Sequence, residues 1–377
     1  MSNYRVIWYS ISSEVILKGA MIMKKWTWLL VFILLIGSLA ACGGPKKEVS
    51  KKQDQKETLP LSKKDFLMGT VVSLKIYNAG KQDAMDASYK KIRELAAEIT
   101  TNDDGKNTEI DKINANSGKK PVKVTKNMFF LIERAIFYSK NSDGGFDLAI
   151  GPLTNLWRIG FPDARKPSQA EIDNRLPLVN YKDVQLNEAN QTVYLKRKGM
   201  ALDLGAIAKG YIADEVAKVM KAHGVNSAIV DLGGNIFVIG HNPDEKKWNV
   251  GIQDPFSPRG SIIGKLETEE MSIVTSGIYE RHLEVDGKDY HHLLDPKTGY
   301  PFDNNIAGVS IISKKSIDGD GLSTATFSKG IQGGLAYLKQ FKGVEAVFVS
   351  RDKKVYITPG LKGKFELVNT DDFKMGN

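Results

Sequence analysis

The chain has 377 residues, a formal net charge of +9 and one cysteine. A single cysteine excludes an internal disulfide and a thiolate metal site, so the fold must hold on apolar burial, which a body of about 310 residues can supply. The lysines are scattered rather than clustered, which points to anionic ligands or an anionic envelope and away from a nucleic-acid stripe.

Residues 1–22 precede a good start at Met23 (or Met21) and read as an upstream extension. Met23-Lys-Lys-Trp-Thr-Trp28, an apolar run from Leu29 to Ile36 and a small-residue end before Cys42 make a secretory signal. Leu39-Ala-Ala-Cys42 resembles a bacterial lipobox, cleaved before Cys42, which then carries the lipid. A plain signal peptide or a single membrane helix is the alternative, but the run is shorter than the roughly 20 residues a span needs. Without residues 1–41 the net charge is +6, from 49 basic and 43 acidic side chains. Residues 42–64 are polar and Lys-rich and read as a disordered tether, with a reach of roughly 25 Å. Residues 65–377 are the expected folded body.

Within that body, folded sequence is expected from about Phe66, with a strand over Thr70–Tyr77. Helices are expected over Asp83–Thr100 and Thr125–Lys140, and a Gly/aromatic loop over Gly144–Gly160. Asp203-Leu-Gly-Ala-Ile-Ala-Lys209-Gly reads as a turn opening a helix, with Ile212, Val216, Val219 and Met220 on one face. Strands follow at Ala228–Asp231, Asn235–Gly240, Trp248–Ile252, Ser272–Thr275 and Gly308–Ile312. A helix over Gly321–Gln340 and a closing hairpin of Val344–Ser350 with Lys354–Thr358 complete the chain. The mixture predicts an α+β (mixed α/β) fold, in one large unit or two intimately packed lobes.

Three segments carry chemistry. At the Asp203 turn, small residues, first-turn N–H groups and Lys209 suit an anion such as a phosphate, without the glycine pattern of a P-loop. An ordinary capped helix is the alternative there. In Asp318-Gly-Asp320-Gly-Leu-Ser-Thr324, Asp320 and Thr324 stand at i, i+4 on a helix face. These are hard oxygen donors that suit Mg²⁺ rather than Zn²⁺; a simple helix cap is the alternative for Asp320. In Tyr290-His-His292-Leu-Leu-Asp295-Pro-Lys-Thr-Gly, the two histidines cannot face the same way on a strand. One of them can point into a site as a base.

The ordered set Met68-Gly-Thr, Gly144-Gly-Phe-Asp, Gly151-Pro-Leu-x-x-Leu-Trp157, Asp203-Leu-Gly-x-x-Ala-Lys-Gly, Asp231-x-Gly-Gly, Thr275-Ser-Gly, His292-x-x-Asp-Pro-x-Thr-Gly and Asp320-Gly-x-x-Thr-Ala resembles the ApbE family. These are bacterial FAD:protein FMN transferases, often membrane-anchored lipoproteins. The resemblance covers essentially the whole body from Phe66.

It implies a Mg²⁺ ion held by the Ala206 backbone carbonyl and the side chains of Asp320 and Thr324. Some relatives carry an aspartate just before that threonine, where this chain has Ser323. FAD contacts are implied at Met68, Phe146, Asp147, Leu148, Asp203, Lys209 and Leu294. Many relatives stack a tyrosine on the flavin where the nearest residue here is Asn102. The implied reaction cleaves FAD at its pyrophosphate, passes FMN to a Thr or Ser hydroxyl of an extracytoplasmic acceptor protein, and releases AMP. His292 is the implied base, with His291 the runner-up, while Asp295 shapes the turn; Asp320 is counted with His292 as catalytic. Hydrolysis of FAD to FMN and AMP is the competing enzyme reading, and a non-catalytic flavin-binding lipoprotein the non-enzyme one. Acceptors carry a motif of the type Asp-Gly-x-[Ser/Thr]-x-Ala-[Ser/Thr]. Asp320-Gly-Leu-Ser-Thr-Ala-Thr326 has that look, which raises self-modification as a further reading.

Overall fold

Nine strands build one sheet that runs through the body, some alternating in burial and Ile306–Ser313 buried at every position. The computed structural model describes residues 60–100 and 108–376. Leu61–Leu67, Thr70–Ile76, Ser227–Leu232, Asn235–Gly240, Ser272–Gly277, Ile306–Ser313, Glu345–Ser350, Lys354–Ile357 and Lys374–Met375 lie side by side in that order. Neighbours are antiparallel except the last pair.

One face packs on helices. Val72, Leu74 and Ile76 are fully buried in a cluster with Met85, Tyr89 and Ile92 of the Gln82–Ile99 helix and with Ile212 and Val216 of the Ala208–Ala222 helix. Each such side chain is worth about 1.5–3 kcal/mol of burial. The other face is covered by a three-stranded sheet of Trp248–Gln253, Ile262–Thr268 and Phe365–Leu367, where Ile273, Ile312 and Val347 meet Trp248, Ile252 and Ile263. A third cluster joins Leu153, Trp157, Ile172 and Tyr290, and Trp157 Nε1 donates to the Gly299 carbonyl at 2.8 Å.

Several expectations need correction. The strand Leu61–Leu67 takes up the end of the segment read as tether over 42–64. Its polar residues fold because Leu61 to Leu67 pair in register with Ile76 to Thr70, and Tyr89 donates to the Lys63 carbonyl at 2.8 Å. The described residues fall in one compact unit rather than two lobes, since the long sheet carries the main core on one face and the second cluster on the other. The Gly144–Gly160 loop holds a helix, Gly151–Trp157, with Pro152 in its first turn where a missing N–H is harmless.

The helix expected over Gly321–Gln340 is two helices, Ser316–Phe327 and Gly330–Leu338. Gly330 takes φ +65° at the break, and Asn305 Oδ1 accepts from Ile331 N at 3.2 Å to start the second. A hairpin of His282–Val285 and Lys288–His291 was not expected. Its Asp286-Gly287 turn has φ of 52° and 73°, the two left-handed residues that a type I′ turn demands. The signal, the lipobox with Cys42, and Asn102 lie outside the described residues.

The crossing of the Ala208 and Ser316 helices positions the chemistry. It is close because Gly210 has no side chain: a Cβ there would stand 2.3 Å from the Ser316 carbonyl oxygen and 2.8 Å from Asp320 Cβ. Gly210→Ala therefore must push the helices apart, and is expected to cost about 1–3 kcal/mol. A urea denaturation midpoint equal to wild type would show slack at the crossing and contradict this close approach.

Candidate active site

The turns that carry the motifs meet at one end of the sheet. The Met68-Gly69 turn joins the first two strands, and Val72 pairs with Leu232 just before Gly233-Gly234. A Cβ on Gly233 would stand 2.0 Å from Thr70 Oγ1, so the two turns touch. Asn235 pairs with Val274 of the next strand, which ends at Ser276-Gly277. Residues 145–151 run beside the entry to the Ala208 helix: Asp203 N donates to the Leu148 carbonyl at 2.9 Å, and Gly151 N to the Ala201 carbonyl at 3.1 Å.

Asp320 is the centre of the arrangement. It is buried within the Ser316–Phe327 helix, so it does not cap its own helix as the alternative reading had it. It caps the neighbour. The Ala208 helix has no side-chain cap at Ile207, and Asp320 Oδ2 accepts from Gly210 N at 2.8 Å. The service is returned: the Ser316 helix has no side-chain cap at Lys315, and Asp214 accepts from Ser316 N at 2.7 Å and Ile317 N at 3.0 Å. Caps of this kind are worth about 0.5–2 kcal/mol each. Burial pushes the Asp214 carboxyl up to about 6, against the pull of those two N–H groups. Sequence alone gives Asp214 no role, because the helix is expected there only from Gly321 and its start at Ser316 shows only in the structure.

The second oxygen of Asp320 lies 3.8 Å from Lys209 Nζ, which also donates to the Gly205 carbonyl at 3.3 Å. Asp203 Oδ1 accepts from Gly205 N at 2.8 Å and holds this turn open. Lys209 is about one-third exposed. A helix N-terminus and a partly exposed ammonium thus stand together, which is where an anion gains most.

Thr324 lies one turn beyond Asp320, partly exposed, and its hydroxyl has no partner among the described residues. With the Ala206 carbonyl these are hard oxygen donors, a set that fits Mg²⁺ when a substrate's phosphates supply the rest. Among the described residues no group of three or more His, Cys, Asp and Glu is placed to hold a metal. Ser323 is buried and its hydroxyl bridges the Asp320 carbonyl and Ser276 Oγ, both at 2.8 Å. It therefore ties the helix to the Ser272 strand.

The histidines split as strand geometry requires. His291 turns inward, with Nε2 3.0 Å from the Phe302 carbonyl and its ring edge-on to Phe327. Burial drives its pKa down to about 4. As a core residue it is no longer a runner-up for the base. His292 is only partly covered, and its Nδ1 lies 3.3 Å from the Arg281 carbonyl. Desolvation holds its pKa well below the ordinary imidazole value, helped by the positive charges of Arg281 and Lys209. A lowered pKa favours the neutral imidazole that a base needs.

The remaining residues are placed unevenly. Met68 is partly buried at its turn with φ 55°. Phe146 and Leu148 are buried in the main core and Leu294 in the third cluster, so their side chains are packing groups. Asp147 spends both oxygens on backbone, accepting from Ala149 N at 2.8 Å and Tyr181 N at 2.9 Å, and burial raises its pKa to about 6. Thr326, the last hydroxyl of the acceptor-like run, is fully buried within its helix and offers no surface for self-modification.

Comparison with known proteins identifies the family. The model of the ApbE family matches residues 68–348. The FAD:protein FMN transferase of Klebsiella pneumoniae (strain 342) is 39% identical over 299 residues, 79% of this chain and 92% of its own. That of Treponema pallidum (strain Nichols) is 33% identical over 356 residues, 90% of this chain and 95% of its own. Among solved structures, the ApbE protein of Thermotoga maritima superposes with a TM-score of 0.75 at 28% identity, over 81% of this chain and 99% of its own. The flavinyl transferase ApbE of Pseudomonas stutzeri gives 0.70 at 28% identity, over 81% and 96%. By motif order, by fold and by relatives that span most of its length, the chain belongs to the ApbE family of FAD:protein FMN transferases.

Proposed function

We propose that the chain transfers FMN from FAD to a Thr or Ser hydroxyl of an extracytoplasmic acceptor protein, in a Mg²⁺-dependent reaction, while anchored to the membrane through lipid on Cys42. The observation that supports the mechanism is the buried Asp320 at the start of the Ala208 helix, 3.8 Å from Lys209, with His292 Nδ1 held 3.3 Å from the Arg281 carbonyl.

FAD's pyrophosphate is drawn to Lys209 and the first turn of the Ala208 helix. His292 accepts the proton of the acceptor hydroxyl as its oxygen attacks the FMN-side phosphorus. The P–O bond to the AMP phosphate breaks, AMP leaves with the bridging oxygen, and the acceptor keeps FMN as a phosphoester. A Mg²⁺ held by Asp320, Thr324 and the Ala206 carbonyl would supply charge neutralisation of the pyrophosphate. Asp203 keeps the turn at Gly205 in shape, and Asp320 fixes Lys209 and the helix start relative to each other.

The test incubates the full chain with FAD and Mg²⁺, with and without a peptide bearing the acceptor motif, and follows AMP and peptide mass together. The peptide is expected to gain the mass of FMN, with AMP released in step. AMP and free FMN with no adduct would make the protein a hydrolase instead, and no AMP in either tube a flavin-binding lipoprotein.

A further inference from the structure

Arg281 borders the site, and beyond the charge it adds near His292 its side chain has no role in the steps above. Its backbone carbonyl accepts from His292 N at 3.1 Å and lies 3.3 Å from His292 Nδ1. Its stem lies on Gly160, where an added Cβ would stand 2.6 Å from Arg281 Cδ. Its guanidinium reaches the Met68-Gly69 turn, with Nη2 3.6 Å from where a Gly69 Cβ would be.

The side chain is exposed, and among the described residues no carboxylate lies within ion-pair distance of it. The neighbouring Glu280 is taken by Arg259 at 2.9 Å. Two large apolar side chains stand in the turns that it reaches, one of them with Arg158 4.6 Å over its ring. Phe161, next to Gly160, is 45% exposed, and Phe66, two residues before Met68, is 68% exposed.

An unpaired guanidinium reaching two turns that carry exposed aromatics has the composition of a protein–protein contact. The phosphates of a dinucleotide already have Lys209 and a helix N-terminus. A hydroxyl delivered to His292 must also come from a chain passing within a side chain's length of Arg281, because that residue's carbonyl holds the imidazole. We infer that Arg281 is a specificity-determining residue for the acceptor, binding an acidic side chain of the protein segment that carries the reacting hydroxyl. The inference rests on the acceptor reading above.

The test uses the full chain at pH 8 with two peptides, Asp-Gly-x-Thr-x-Ala-Thr and the same sequence with Asn for Asp. Arg281→Gln is expected to raise KM for the Asp peptide about tenfold, as loss of a charge-assisted hydrogen bond should. It should leave KM for FAD and for the Asn peptide unchanged, and Arg281→Lys should fall between. A rise in KM for FAD with none for the peptide would put Arg281 on a FAD phosphate and overturn the inference. So would no change in either.

Binding of labelled peptides with alanine at both threonines, read by fluorescence anisotropy, repeats the comparison without turnover. If wild type binds the Asp peptide but makes no adduct, the functional reading fails, while the anisotropy difference still decides Arg281.

Discussion

Asp320→Asn is expected to lower FMN transfer by about 10²–10³-fold, the scale of losing one charged group at a phosphoryl site, while leaving the protein folded. Asparagine keeps the shape and one acceptor oxygen for Gly210 N–H, so the cap at 2.8 Å can survive. The negative charge opposite Lys209 is lost, and with it the hard anionic donor beside Thr324. A charge at a helix N-terminus contributes about 0.3–1 kcal/mol, up to ~2 where partly buried, so the stability loss should stay in that range. Asp320→Ala differs, because it leaves Gly210 N–H buried without a partner at about 1–3 kcal/mol. Transfer rates and urea midpoints on both variants separate the roles. If Asn unfolds the protein as much as Ala does, or transfers at the wild-type rate, Asp320 is only a structural cap.

The second large effect belongs to His292. His292→Gln should cost about 10²–10⁴-fold in transfer if the imidazole takes the hydroxyl proton. Its pH signature follows from sign. Desolvation, Arg281 and Lys209 all lower its pKa in the free protein, so the base is already neutral at mildly acidic pH. The acid limb of kcat/KM, which reports the free protein, should therefore lie well below the ordinary imidazole value of about 6.5. Binding the negatively charged pyrophosphate beside the ring opposes those cations and raises the pKa. The acid limb of kcat, which reports the complex, should then lie at higher pH. A common limb near the ordinary value in both profiles, or a fully active His292→Gln protein, would remove His292 from the proton transfer.

What the sequence made legible, and what it hid, divides by range. The Asn235–Gly240 strand and the Lys126–Asn141 helix are where alternation and helical periodicity put them, the latter one residue from the expected start because Thr125 is its cap. The break at Ser328-Lys329 was hidden because apolar spacing continues across it from Ala325 to Ile331 and Leu335. The Asp286-Gly287 turn was visible but short. The hardest features were long-range. Asp214 starts the Ser316 helix from 102 residues away, and Asp320 caps the Ala208 helix from 110 residues away. No local pattern announces such exchanged caps. The same holds for Arg281, whose carbonyl orients His292 only once the Asp286-Gly287 hairpin has folded back on itself. The resemblance reached the family because motif order is a record of tertiary meetings that residue spacing alone does not carry.

The central claim is that FAD's pyrophosphate lies where the Ala208 helix begins, between Lys209 and Asp320. A crystal structure of the chain with FAD, grown without acceptor, tests it most directly. The account predicts the two phosphorus atoms at the first turn of that helix, in contact with Lys209, with His292 open to the approaching hydroxyl. Pyrophosphate density elsewhere, for example in the open groove of about 430 Å³ lined by Pro121, Gln185, Thr192 and Tyr194, would contradict it.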